Sequence, residues 1–317
     1  MHHKYKVYWN NVCLLSRLEQ SIIDKKLAAW KRYHEESFEF KYLGLGKKKK
    51  LYEQVYEDLD KGNVEADAII STDLDIFQRN DMLTPRLDDY RETGNIFPIR
   101  KELIKTTIPH PSKKIHPFLV IPLVMVVNKS TLDDSHIPNS FEALCNPYYK
   151  DKVVFGGIDT SAVKSVLMTL WYMYGEKMIN SFIRNSKVTS LPALAFSRVM
   201  HGDFPIAIVP SIFALRKGIG SLMGIWPKEG AISIPSYVII KNSLPLDKIG
   251  FLRELLFREE TQNLFSQDGC IVPVHPNSHL PNWAKENNCR LLYPQWKWIE
   301  ELDFEKFDMM CDSVTRL

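Results

Sequence analysis

The residues of this chain best placed to do chemistry are hydroxyls that follow short apolar stretches. Residues 66–70 (ADAII) end in Ser71, Thr72 and Asp73. Residues 152–155 (KVVF) run into Gly156, Gly157, Ile158, Asp159, Thr160 and Ser161, and residues 205–209 (PIAIV) end in Pro210 and Ser211. In open α/β sheets ligands sit outside the carboxyl ends of the strands, where hydroxyls and the unpaired amides of the next helix converge. At Ser71 and Thr72, helix capping and ligand contact are served equally well by the same atoms. The stretch 156–161 is the strongest signal. Two glycines permit close backbone approach, and the start of the next helix offers amides beside two hydroxyls, a setting for an anionic group. An ordinary N-cap is the alternative.

Other chemistry is weaker. The loop 44–46 runs into Lys47, Lys48, Lys49 and Lys50, but the spacing of a phosphate loop is absent, and a solvated basic helix start accounts for it. Cys270, His275, His279 and Cys289 invite a zinc reading. Their spacing matches no usual finger, and Pro273, Pro276 and Pro281 describe an extended loop, so no metal and no cofactor is expected. Cys13 follows Asn11 at a helix start that would stabilise a thiolate, yet no partner base can be named, and a buried inert thiol is the competing reading. Trp9, Trp226 and Tyr237 could line a site or the core.

Composition sets the class. Hydrophobic residues make up 45% and charged residues 25% of 317 residues, which fits a folded soluble chain larger than a single core usually grows. A net charge of +3 is too small for a nucleic-acid binder. Five scattered cysteines do not form a disulfide framework. The first residues, MHHKYKVYWNN, carry no apolar signal core, so a cytoplasmic protein is expected unless an export signal was removed.

The elements that position these residues follow from pattern. Residues 118–128 (FLVIPLVMVVN) and 231–240 (AISIPSYVII) read as buried strands, too short to cross a bilayer as helices. Residues 4–9 and 38–42 read as strands about a helix beginning near Leu15, and Asn10 and Asn11 turn the chain toward that helix. Leu51, Val55 and Leu59 mark a helix ended by Gly62. Residues 82–117 form an irregular connection. Residues 162–174 and 176–184 read as helices meeting at Gly175, followed by a strand at 187–189 and a helix at 193–200. Residues 246–257 and 259–265 are two more helices. The two buried strands bracket one α/β unit, so the expected domains are 1–121 with 236–317, and 122–235.

In this order, PLVMVVNK, IPNSFEALCNPYYKDKVVFGG, TSAVKSVLMTLWYMYGE, HGDFPIAIVPS and WPKEGAISIPSYVIIKN resemble the family 1 extracellular solute-binding proteins of ABC importers. The resemblance runs from ADAIISTD to about FREETQNLFSQDGCIVPVHPN. It implies a two-lobed type II periplasmic-binding fold, each lobe a mixed sheet flanked by helices, with two crossing strands as a hinge. It also implies capture of a small solute by hinge closure, an ABC permease as partner, no catalysis and a monomer. Carried over by position, its ligand loops fall at Asn10, Asn11, Ser71, Thr72, Asp159, Thr160, Ser161 and Ser211. Ferric-binding members carry an adjacent tyrosine pair where this chain has Pro210, Ser211, Ile212 and Phe213, which argues against iron held by paired phenolates. Two alternatives stay open: a cytoplasmic ligand sensor of the same fold, and an enzyme using Cys13 as nucleophile, as thiamine-degrading relatives of the fold do.

Overall fold

The computed structural model describes residues 4–10, 16–33, 37–43, 50–158, 160–215 and 220–317, apart from the side chains of 16–19 and 268–269. Its contacts divide the chain into two compact units, Met1–Val120 with Pro235–His279 and Ile121–Ile234 with Leu280–Leu317.

The first unit opens with β1 (Lys4–Asn10), α1 (Ser16–Lys31), β2 (Ser37–Tyr42), α2 (Leu51–Asp60) and β3 (Ala68–Ser71). Strands β2, β1 and β3 lie side by side and parallel. Helix α2 forms because Leu51 and Val55 fall on one face, and Glu53 accepts the Lys50 amide at 2.9 Å to cap its start. The same face carries a polar pin. Asp58, 1% exposed, accepts from Tyr8 Oη at 2.7 Å, Gln54 Nε2 at 2.7 Å and the Glu65 amide at 3.0 Å, so a buried carboxylate is satisfied on both oxygens. Short helices α3 (Asp75–Gln78) and α4 (Lys101–Ile104) interrupt the irregular connection that leads to β4 (His116–Asn128).

Every residue of β4 is buried, and the strand carries the chain into the second unit between Val120 and Ile121. There the order is β5 (Val153–Gly156), α5 (Ser161–Asn185), β6 (Ser186–Thr189), α6 (Pro192–Met200), β7 (Ile206–Pro210), α7 (Ser211–Ala214), β8 (Leu222–Ile225) and β9 (Ala231–Ile240). Strands β6, β5 and β7 are parallel in that order, and β4 runs antiparallel to β7 and β8. Helix α5 breaks at Gly175, whose φ of +75° and ψ of 176° only glycine adopts easily, so the two expected helices meet there. The helices cover opposite faces. Phe155 meets Phe182 of α5 with ring centroids 5.6 Å apart, whereas its neighbour Val154 joins a core with Ala195 and Phe196 of α6 and Phe213 of α7.

Strand β9, buried throughout, returns the chain to the first unit between Ile234 and Pro235 and pairs antiparallel with β3. Helices α8 (Leu246–Leu256) and α9 (Glu259–Gly269) and strand β10 (Val272–Pro273) complete that unit, β10 pairing with β4 at Leu119 and Val120.

The last segment departs from expectation. The sequence pattern groups residues 280–317 with the first lobe, but α10 (Asn282–Glu286), β11 (Leu291–Leu292), α11 (Trp296–Glu300), α12 (Phe304–Asp312) and β12 (Thr315–Arg316) belong to the second unit. Backbone and ring contacts place them there. β11 pairs with Ala231 and Ile232, β12 extends β6, Trp298 lies edge-on to Trp171 and Tyr172, and Lys306 pairs with Glu176 at 2.7 Å.

Buried histidines make the first unit sensitive to acid. His116 opens β4 with its ring edge-on to Phe97 and Phe257, and its Nε2 lies 3.3 Å from the Pro98 carbonyl. Burial lowers its pKa from 6.5 to about 4, against the opposing pull of that carbonyl. Burial also lowers His110 to about 4. Between those limits the unfolded chain binds protons that the folded unit does not, so stability is complete above pH 6.5 and declines as pH falls toward 4. Denaturant unfolding should show a loss on the order of 3 kcal/mol from His116 alone across this range. His116→Phe should flatten the dependence; an unchanged slope would show that His116 is not its source.

Candidate functional site

In the first unit the ends of β1 and β3 meet in register, Asn10 opposite Ser71, and the Thr72 amide donates to the Asn10 carbonyl at 3.1 Å. Asn10, Ser71 and Thr72 are thus brought together, but they differ in access. Asn10 and Thr72 are half-buried, while Ser71 is fully buried and its Oγ accepts the Asp73 amide at 2.8 Å. Ser71 therefore shapes the turn that presents Thr72. Across the sheet it faces Tyr237, whose hydroxyl donates to the Ile108 carbonyl at 2.8 Å and whose ring meets Phe77. Tyr237 is core, as is Trp9, which packs on Phe40 and Phe118; Trp226 is 8% exposed against Trp283.

In the second unit the carboxyl ends of β5, β6 and β7 share one edge, with Gly156 opposite Thr189. Thr160 is the N-cap of α5. Its Oγ1 accepts the Ala162 amide at 3.2 Å and donates to the Gly157 carbonyl at 2.9 Å, while half-buried Ser161 opens the helix. Ser211 begins α7 but is 2% exposed, and Phe213 after it packs on Phe196 at 5.5 Å. Apolar packing therefore fills the start of α7. Asn11, Asp159, Cys13 and the loop 44–49 lie outside the described residues.

The two glycines have a structural cause that spacing alone does not reveal. A Cβ at Gly156 would stand 2.4 Å from the Leu191 carbonyl oxygen and 2.7 Å from Pro192 Cα. Gly157 has a φ of +99°, and a Cβ there would stand 2.4 Å from Thr160 Oγ1. The backbone approaching Gly156 is thus that of the β6–α6 turn. This turn is the part of the edge that sequence reasoning missed. Thr189 Oγ1 donates to the Leu191 carbonyl at 2.9 Å, and Ser190 is exposed between them. A fourth strand end with hydroxyls, Thr189 and Ser190 directly before the Pro192 helix start, was its available signal.

Chain direction parts the loops at this edge. From β5 the chain rises to the α5 face, and from β7 to the opposite face carrying α6 and α7, so the loops diverge between neighbouring strands β5 and β7. In each unit the candidate edge is also the one where a crossing strand arrives. Leu123, shortly after the crossing in β4, faces Pro210, and Tyr237, shortly after the crossing in β9, faces Ser71.

A cavity of about 580 Å³ lies elsewhere, among Phe97, Pro98, Arg253, Arg258, Glu260 and His275 of the first unit. It adjoins the start of β4 rather than the crossing. Its charges answer each other: Arg258 reaches Glu254 at 3.2 Å and Glu260 at 3.7 Å. The strand-end hydroxyls are the better candidate because they leave polar groups half-exposed beside helix amides.

The architecture is that of the two-lobed periplasmic binding proteins. The chain is similar to the ferric binding protein from Campylobacter jejuni, at 14% identity and a TM-score of 0.69 over 98% of this chain and 99% of that one. Trichodesmium IdiA (FutA), solved with iron and citrate, matches at 17% identity and 0.69 over 98% and 99%. AfuA from Actinobacillus pleuropneumoniae, solved with fructose-6-phosphate, matches at 14% and 0.63 over 99% of each chain. These likenesses establish the fold. Residues 65–301 match the family described as bacterial extracellular solute-binding protein, and the chain belongs to that family. Its members bind solutes rather than catalyse reactions. A search of curated protein sequences finds no match. Among the described residues no helix is long and apolar enough to cross a membrane.

The packing role of Gly156 can be tested. Gly156→Ala should destabilise the second unit by about 3 kcal/mol, because the added methyl meets backbone rather than a flexible side chain. Gly175→Ala meets no atom within 4 Å, so its cost of about 1–3 kcal/mol comes from a positive-φ extended conformation alone. Denaturation followed by tryptophan fluorescence would rank them; a Gly156→Ala protein as stable as the parent would remove the packing explanation.

Proposed function

We propose that this protein is the receptor of an ABC importer and that it captures a small anionic solute, carrying a phosphate or a carboxylate, as a monomer. The proposed contacts are Asn10 and Thr72 in the first unit and Ser161 in the second, with Ser71, Thr160 and Ser211 shaping the turns behind them. Asn11 and Asp159 complete the proposed set. Capture and release to a permease involve no bond being made or broken.

One observation carries the anionic reading: the start of α5, capped by Thr160 and opened by half-buried Ser161, at the edge where the loops diverge. Helix amides and hydroxyls donate to negative charge at such a place without a counter-cation. Two proteins of the same fold are consistent with it, since fructose-6-phosphate and citrate, named with AfuA and IdiA, are both anions.

A thermal-shift screen of inorganic phosphate, fructose-6-phosphate, citrate, ferric citrate and putrescine tests the reading. Anions at a hundred times their dissociation constant should stabilise the protein by about 2.7 kcal/mol. Ser161→Ala should weaken the best of them about tenfold in calorimetry, roughly 1.4 kcal/mol, with little change in melting temperature without ligand. If only putrescine stabilises the protein, the charge assignment is wrong and Asp73 becomes the residue to substitute.

A further inference from the structure

We draw no further inference here: the strongest candidate, the cavity of about 580 Å³ at the start of β4 beside Phe97, Phe257 and the α8–α9 corner, has its Arg253 and Arg258 answered by Glu254 and Glu260, and nothing in the structure shows what fills it.

Discussion

Two strands that must be covered on both sides constrain everything else in this protein. β4 and β9 are buried along their whole lengths, and neither offers a polar face to water. A strand of this kind has to be flanked by paired backbone at its edges and by packed side chains above and below. Because each passes from one compact unit to the other, each helps to build two cores. In the second unit helices cover both faces, and in each unit the parallel strands end at the edge where the crossing strand arrives.

That edge carries chemistry because parallel strands release their chain there. Each release leaves amides and carbonyls to be satisfied, and small hydroxyl residues do it at Ser71, Thr160 and Thr189. The same residues differ in exposure. Ser71 and Ser211 are buried in the turns they form, whereas Thr72 and Ser161 keep part of their surface in water. Shaping the edge and contacting a solute are thus divided between neighbouring residues.

Much of this was legible in the sequence. The apolar runs at 118–128 and 231–240, the helix face of Leu51 and Val55, and the break at Gly175 are local patterns, and local patterns survive translation into structure. What failed to show was tertiary. β11 and β12 contain two residues each, too few for any periodicity, so nothing signalled that the last segment joins the second unit. Tyr33 shares the spacing of the α1 apolar positions yet is 83% exposed, because the helix ends at Lys31 before it. Gly156 and Gly157 suggest room for a solute; their neighbours in space are Leu191 and Thr160, which only the fold could supply.

The placement of β12 bears on how the molecule is assembled. Residues 315–316 form the outermost strand beside β6, and the first unit likewise waits for β9 to line β3. On a ribosome, neither sheet can acquire its border until long after its centre has emerged, and pairings so distant in sequence form slowly. Nascent β6 and β3 therefore keep open, hydrogen-bonding margins while more than a hundred further residues are made, the condition under which chaperone capture or aggregation competes with folding.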